Sequence, residues 1–243
     1  MGANGMKNGR PVLTEYASNA AMTGQVADQV ESVLREAVAL QGVSSFAVSG
    51  GSTPAALYQT LSKRALGWRK IAVALVDERW VAPGTPGSNE SFVRETLLQN
   101  AAAAAAFTGM WSDVPSPAEG LATAAARYDA IKAPFDVILL GLGQDGHTAS
   151  WFPDAAGLEA ALSETGPRLA AVKAKKSAVT GDFTDRMTLT LAAVKSARYI
   201  CMLLVGEEKR ATFARALRSG PVDGMPVRAI LRARPDMHVA WAP

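Results

Sequence analysis

At 243 residues, with 49% apolar and 19% charged side chains, the chain has enough apolar content to close one large α/β domain without disulfides. A formal charge of +3, spread over scattered lysines and arginines, argues against nucleic acid as a partner and suits small anionic ligands. One cysteine and two histidines exclude an intrachain disulfide and argue against a zinc site, and no apolar run approaches the ~20 residues of a membrane span.

The opening MGANGMKNGRP is polar and glycine-rich and has no apolar stretch behind it. It reads as a disordered lead-in over residues 1–11 rather than a signal peptide, with Met6 as an alternative start. No linker-like shift divides residues 12–243, so a single domain is expected. In chain order the pattern predicts a helix over 22–40, a strand at SSFAVSG (44–50) and a helix over 54–65 with Pro54 in its first turn. Next come a strand at KIAVALVD (70–77), helices over 90–104 and 118–131, and strands at FDVILLG (135–141) and LAAVKA (169–174). An alternating Thr/Leu strand follows Arg186. A strand at RYICMLLVG (198–206), a helix over 207–218 and a strand at MHVAWAP (237–243) complete the series. Strands apolar at consecutive positions are covered on both faces, and their alternation with helices argues a mostly parallel sheet flanked by helices on both faces. Cys201, inside YICMLLV, reads as a buried inert thiol, and the cysteine usage fits a cytoplasmic protein.

Ligands of such a sheet gather where strands end and helices begin. The first strand end is VSGGSTP. Glycines that let unsatisfied N–H groups approach an anion, followed by two hydroxyls at a helix start, make a phosphate cradle of Gly50, Gly51, Ser52 and Thr53. The plainer alternative is a tight turn with Ser52 or Thr53 as N-cap. The second, LVDERW, puts Asp77, Glu78 and Arg79 either in a charged loop with an internal ion pair or at the edge of a cleft.

GLGQDGHTAS (141–150) fits the G-x-G-x-x-G of a dinucleotide clamp. Pro153 soon interrupts any following helix, the next strand ends in lysines rather than a ribose-binding acid, and Asp145 would oppose a pyrophosphate. A turn that presents Asp145 and His147 together accounts for it better. A carboxylate can orient an imidazole, and histidine is the natural general base at neutral pH. His238, inside MHVAW, has the setting of a structural histidine. Lys209 lies in the first turn of a helix, where a cation is unfavourable. An anion nearby, or Glu207 and Glu208, would account for it. No G-x-S-x-G elbow occurs, which argues against a serine-hydrolase triad.

From about residue 12 to the C-terminus, the order and spacing of VSGGSTP, VDERWV…SNESFVRETLL, FDVILLGLGQDGHTASWFP, RMTLTL and VGEEK resemble the 6-phosphogluconolactonase family. The resemblance implies a modified Rossmann-type α/β sandwich shared with glucosamine-6-phosphate deaminases. It implies hydrolysis of 6-phosphoglucono-δ-lactone to 6-phosphogluconate in the oxidative pentose phosphate pathway, with neither metal nor nucleotide cofactor. The partner is then a small sugar-phosphate lactone, with no nucleic acid and no membrane, and a monomer is expected. The catalytic histidine falls on His147, with Asp145 beside it and Asp77 and Arg79 at the cleft. Phosphate contacts fall on Gly50, Gly51, Ser52 and Thr53 and, by similarity to the deaminases, on Arg186 and Lys209. Where deaminase-like sequences have D-E-Y and an acid five residues after the histidine, this chain has Asp77-Glu78-Arg79 and Phe152. A same-fold deaminase or isomerase, and a non-enzymatic sugar-phosphate sensor, are the rival readings.

Overall fold

The computed structural model describes residues 9–243. Of the expected lead-in, residues 1–8, with Met6, lie outside the described residues, while Pro11 is already buried. The chain forms β1 (Leu13–Glu15), α1 (Asn19–Gln41), β2 (Ser44–Val48), α2 (Ala55–Ser62), β3 (Ile71–Leu75), β4 (Asp77–Arg79), α3 (Asn89–Thr96), β5 (Ala106–Thr108) and α4 (Pro117–Asp129). It continues through β6 (Val137–Leu140), α5 (Leu158–Ala161), β7 (Leu169–Lys173), β8 (Asp185–Leu189), α6 (Leu191–Lys195), β9 (Tyr199–Val205), α7 (Glu207–Ala216), α8 (Val227–Ala233) and β10 (His238–Ala242). No helix among the described residues is long and apolar enough to cross a membrane.

Seven strands form a parallel sheet in the order β1-β10-β9-β6-β2-β3-β5. β2, β6 and β10 are buried at every position, so both faces of the sheet are covered, as their unbroken apolar runs require. α1 supplies part of that cover through Met22, Val26, Val30 and Leu34, one stripe at helical spacing, and starts where the Ser18 hydroxyl accepts from Ala21 N. The β2–β6 seam is pinned at its base by buried Asp136. Its carboxylate accepts from Ser45 N at 2.9 Å, Ser44 Oγ at 3.1 Å and Lys132 Nζ at 2.6 Å. From β2 the chain runs outward through β3 to β5, then returns to β6 on the other side of β2. The order therefore reverses between β2 and β6, and a crevice opens beyond their carboxyl ends. The two segments that leave those ends are Ser49–Thr53 and Gly141–His147.

Three departures from the sequence-based expectations matter. LAAVK is a strand, but β7 belongs to a separate antiparallel sheet of order β4-β8-β7. Asp77–Arg79, expected beyond a strand end, is itself strand β4 of that sheet. The helix expected over 90–104 stops at Thr96. Asn100 takes a left-handed conformation (φ 50°), a short 3-10 turn spans Asn100–Ala104, and β5 follows from the end of the alanine run.

His238 is a structural residue. Its Nδ1 lies 2.7 Å from the Tyr199 hydroxyl and its Nε2 lies 3.1 Å from that of Tyr16, and burial pushes its pKa down. Cys201 is fully buried, and burial pushes its thiol up to about 12, far from the thiolate a nucleophile needs.

Candidate active site

The crevice between β2 and β6 holds a cavity of about 440 Å³. Gly50, Gly51, Ser52, Thr53, Asp77, Arg79, His147, Arg186 and Lys209 all line it, and Asp145 stands behind His147. The structure thus brings every candidate site residue to one place.

On the β2 side, α2 begins without a side-chain cap. Pro54 occupies the N-cap position, so neither Ser52 nor Thr53 serves there. Among the described residues, the N–H groups of Gly51, Ser52 and Thr53 and the hydroxyls of Ser52 and Thr53 have no hydrogen-bond partner. This is a set of free donors at a helix start, the arrangement that receives an anion. The turn is held from behind. Ser49 Oγ donates to Leu139 O at 2.8 Å, and the Tyr58 hydroxyl donates to Ser49 O at 2.7 Å. Gly50 is required by close approach, because a Cβ there would stand 1.9 Å from Asn89 Oδ1.

On the β6 side, Gly141–His147 folds back on itself. Gly143 N donates to His147 O at 2.8 Å, Gly146 N to Gly143 O at 3.0 Å, and Thr148 Oγ1 to Gly141 O at 2.8 Å. Asp145 Oδ1 lies 2.6 Å from His147 Nδ1 and also accepts from His147 N at 3.1 Å. Burial pushes the Asp145 carboxyl up, but its bond to His147 and the charge there outweigh burial and leave it below the usual range. With Nδ1 engaged by a carboxylate, Nε2 is the ring nitrogen left for chemistry. The ring packs on Phe152 at 4.2 Å between centroids. The first helix after the turn is the four-residue α5, so this G-x-G-x-x-G lacks the long helix a dinucleotide clamp needs.

The small sheet closes the third side. Arg79 and Arg186 are direct partners in the β4–β8 ladder, so two guanidiniums stand side by side on one face. Arg186 is 4% exposed and donates from Nε to Phe183 O at 2.7 Å. Its Nη1 is 4.0 Å from Asp77 Oδ2, and its guanidinium lies over Phe152. Burial pushes Arg186 down to about 10; Asp77 pulls it back up, and neighbouring Arg79 adds to the downward push. Arg79 Nη1 donates to Gly87 O at 2.6 Å, and its Nε is buried without a partner among the described residues. Lys209, from the first turn of α7, donates to Leu142 O. Burial lowers it, against the pull of Glu208 and Asp145.

The charged triplet therefore splits. Asp77 and Arg79 face the cavity, with no ion pair between them. Glu78 is fully buried and receives the N–H groups of Arg79, Asn89 and Glu90 at 2.7–2.8 Å, so it joins the Ser88 N-cap in satisfying the start of α3. Burial pushes its carboxyl up to about 7 against those donors.

Sequence reasoning missed Asn89 and Ser150. Asn89 Nδ2 donates to Asp77 O at 2.8 Å and reaches Asp77 Oδ1 at 3.4 Å, and Ser150 Oγ donates to Asp77 Oδ2 at 2.7 Å. Together they orient the Asp77 carboxylate. Both lie inside the quoted motifs, but nothing in periodicity marks a buried Asn or Ser as a second layer behind an acid. Among the described residues, no cluster of three or more His, Cys, Asp or Glu side chains could hold a metal ion.

The family model described as glucosamine-6-phosphate isomerases/6-phosphogluconolactonase matches residues 17–241. A 6-phosphogluconolactonase of Mesorhizobium japonicum is 41% identical, with 92% of this chain and 90% of that protein covered. One of Rhizobium meliloti is 39% identical over 94% of this chain and 97% of its own. Among solved structures, a 6-phosphogluconolactonase from Shewanella baltica superimposes with a TM-score of 0.91 at 39% identity and covers 98% of this chain and 100% of its own.

Proposed function

The chain belongs to the glucosamine-6-phosphate isomerase/6-phosphogluconolactonase family, and on that premise we propose that it hydrolyses 6-phosphoglucono-δ-lactone to 6-phosphogluconate, the lactone-opening step of the oxidative pentose phosphate pathway. One observation carries the reading: an imidazole backed by a carboxylate at 2.6 Å shares a cavity with an uncapped turn of free donors. His147 Nε2 takes a proton from water, and the oxygen attacks the lactone carbonyl. Arg79, whose Nε has no partner among the described residues, faces the developing oxyanion. The protonated His147 then returns the proton to the ring oxygen as the acyl–oxygen bond breaks, and the product acid ionises in water. Gly50–Thr53, Arg186 and Lys209 hold the substrate phosphate, and that remote grip aligns the carbonyl with the base.

Everything this scheme needs lies within one chain, so catalysis calls for no residue from a second copy, and the single buried thiol fits a reducing cytoplasm. The amino-sugar isomerase alternative calls for a further acid–base group five residues beyond His147, where this protein places the ring of Phe152 against the imidazole.

The test is to generate the lactone in situ and follow its disappearance against spontaneous hydrolysis without protein. The expected result is clear acceleration. No acceleration, together with ammonia release from glucosamine 6-phosphate, would replace the lactonase by the deaminase.

A sharper check uses Gly143. A Cβ there would meet His147 Nδ1 at 1.9 Å and Asp145 Oδ1 at 2.6 Å, so Gly143→Ala must push the pair aside. The expected cost is roughly 10–100-fold in kcat with the fold retained, as for other small displacements of reacting groups. Full activity in Gly143→Ala would remove the pair from the mechanism.

A further inference from the structure

At the rim of the cavity, one interaction set remains unexplained by substrate binding. The carbonyls of Leu142, Gln144 and Gly146, alternate residues of the turn that carries His147, are each held by the C-terminal elements. Lys209 Nζ takes Leu142 O, Arg215 Nη2 donates to Gln144 O at 2.7 Å, and Val227 N donates to Gly146 O at 3.0 Å. The intervening residues bond within the turn. Gly143 N donates to His147 O, and Asp145 holds the imidazole. The turn is thus tacked down along one side while its other side presents the base.

Of the three anchors, Lys209 lines the cavity and Val227 contributes only backbone. Arg215 is different, because it is an exposed side chain on α7 that does not line the cavity. A charge-assisted bond from a guanidinium to a single carbonyl gains little stability at the surface, but it can fix the placement of a short glycine-rich turn. We propose that Arg215 is a positioning residue for His147: it acts through the Gln144 carbonyl and touches no substrate. The inference rests on the lactonase reading of the site.

The test compares wild type with R215M and R35M. Arg35 is a fair control, since its Nη2 donates to a loop carbonyl, Ala65 O, at the same 2.7 Å, in a different part of the fold. Two quantities are read: kcat and KM for in-situ 6-phosphoglucono-δ-lactone, and amide hydrogen exchange of the peptide covering residues 141–148. R215M is expected to lose roughly 3–10-fold in kcat with KM within about twofold, and to exchange faster at 141–148. R35M is expected to match wild type in both. An active wild type with unchanged R215M kcat, unchanged exchange at 141–148, or an equal loss in R35M overturns the inference alone. A wild type that does not open the lactone overturns the reading of the site, and this inference with it; the wild-type arm by itself tells the two failures apart.

Discussion

His147→Ala is expected to lower kcat by on the order of 10²–10⁴, the usual worth of a general base, while KM stays within about twofold. The split follows from the geometry. The imidazole is held by Asp145 on one nitrogen and by Phe152 across its face, whereas the free donors of Gly51–Thr53 belong to another segment, beyond the end of β2. Truncation removes the base and leaves that turn untouched. The side chain borders a cavity rather than the core, so the variant should fold, and its thermal midpoint should stay close to that of the wild type. Steady-state kinetics on in-situ lactone, corrected for spontaneous hydrolysis, decide the matter. A kcat near that of the wild type would mean that water is activated elsewhere.

Arg186→Ala is expected to raise KM by roughly 30–5,000-fold with a smaller change in kcat, since removing one side of a buried charge pair costs about 2–5 kcal/mol. Arg186 is the most buried of the cations in the cavity, and Asp77 at 4.0 Å does not neutralise it with a close ion pair. It is therefore poised to take an anionic group from the substrate. The readout separates it from Arg79, its partner across the ladder. If kcat fell and KM held, Arg186 would be the group facing the oxyanion, and Arg79 would inherit the phosphate. Loss of Arg186 also leaves Asp77 without its nearest cation, so a fall of a few degrees in thermal midpoint should accompany the kinetic change.

What could be read from the sequence divides along physical lines. Strands buried on both faces announce themselves as apolar runs, so β2, β3, β6, β9 and β10 were legible, and with them the strand ends that carry the SGGST and GLGQDGH segments. The short second sheet was not. Asp77–Arg79 is charged and three residues long, and nothing local separates such a strand from a loop; its identity lies in pairing with Asp185–Leu189, far along the chain. β5 hides at the end of an alanine run, and α5, α6 and α8 are too short for a helical period to register. At the site, side chains that face the cavity were legible because their residue types carry chemistry. The groups that hold those side chains in place were not. Asn89, Ser150 and Arg215 owe their roles to which carbonyl or carboxylate they meet, and that is decided only when distant segments come together.

The pairing of β4 with β8 has a consequence for biosynthesis. The parts of the site leave the ribosome far apart in time: the SGGST turn first, then Asp77 and Arg79, much later the turn with His147, and last Arg186 and Lys209. Contacts of such long sequence separation close slowly, because the loop entropy must be spent before they reward it. β2, β3 and β5 can pair early, but β4 waits, with its charges exposed, until β8 arrives. Binding and catalysis should therefore switch on together at the end of folding, with no active fragment along the way.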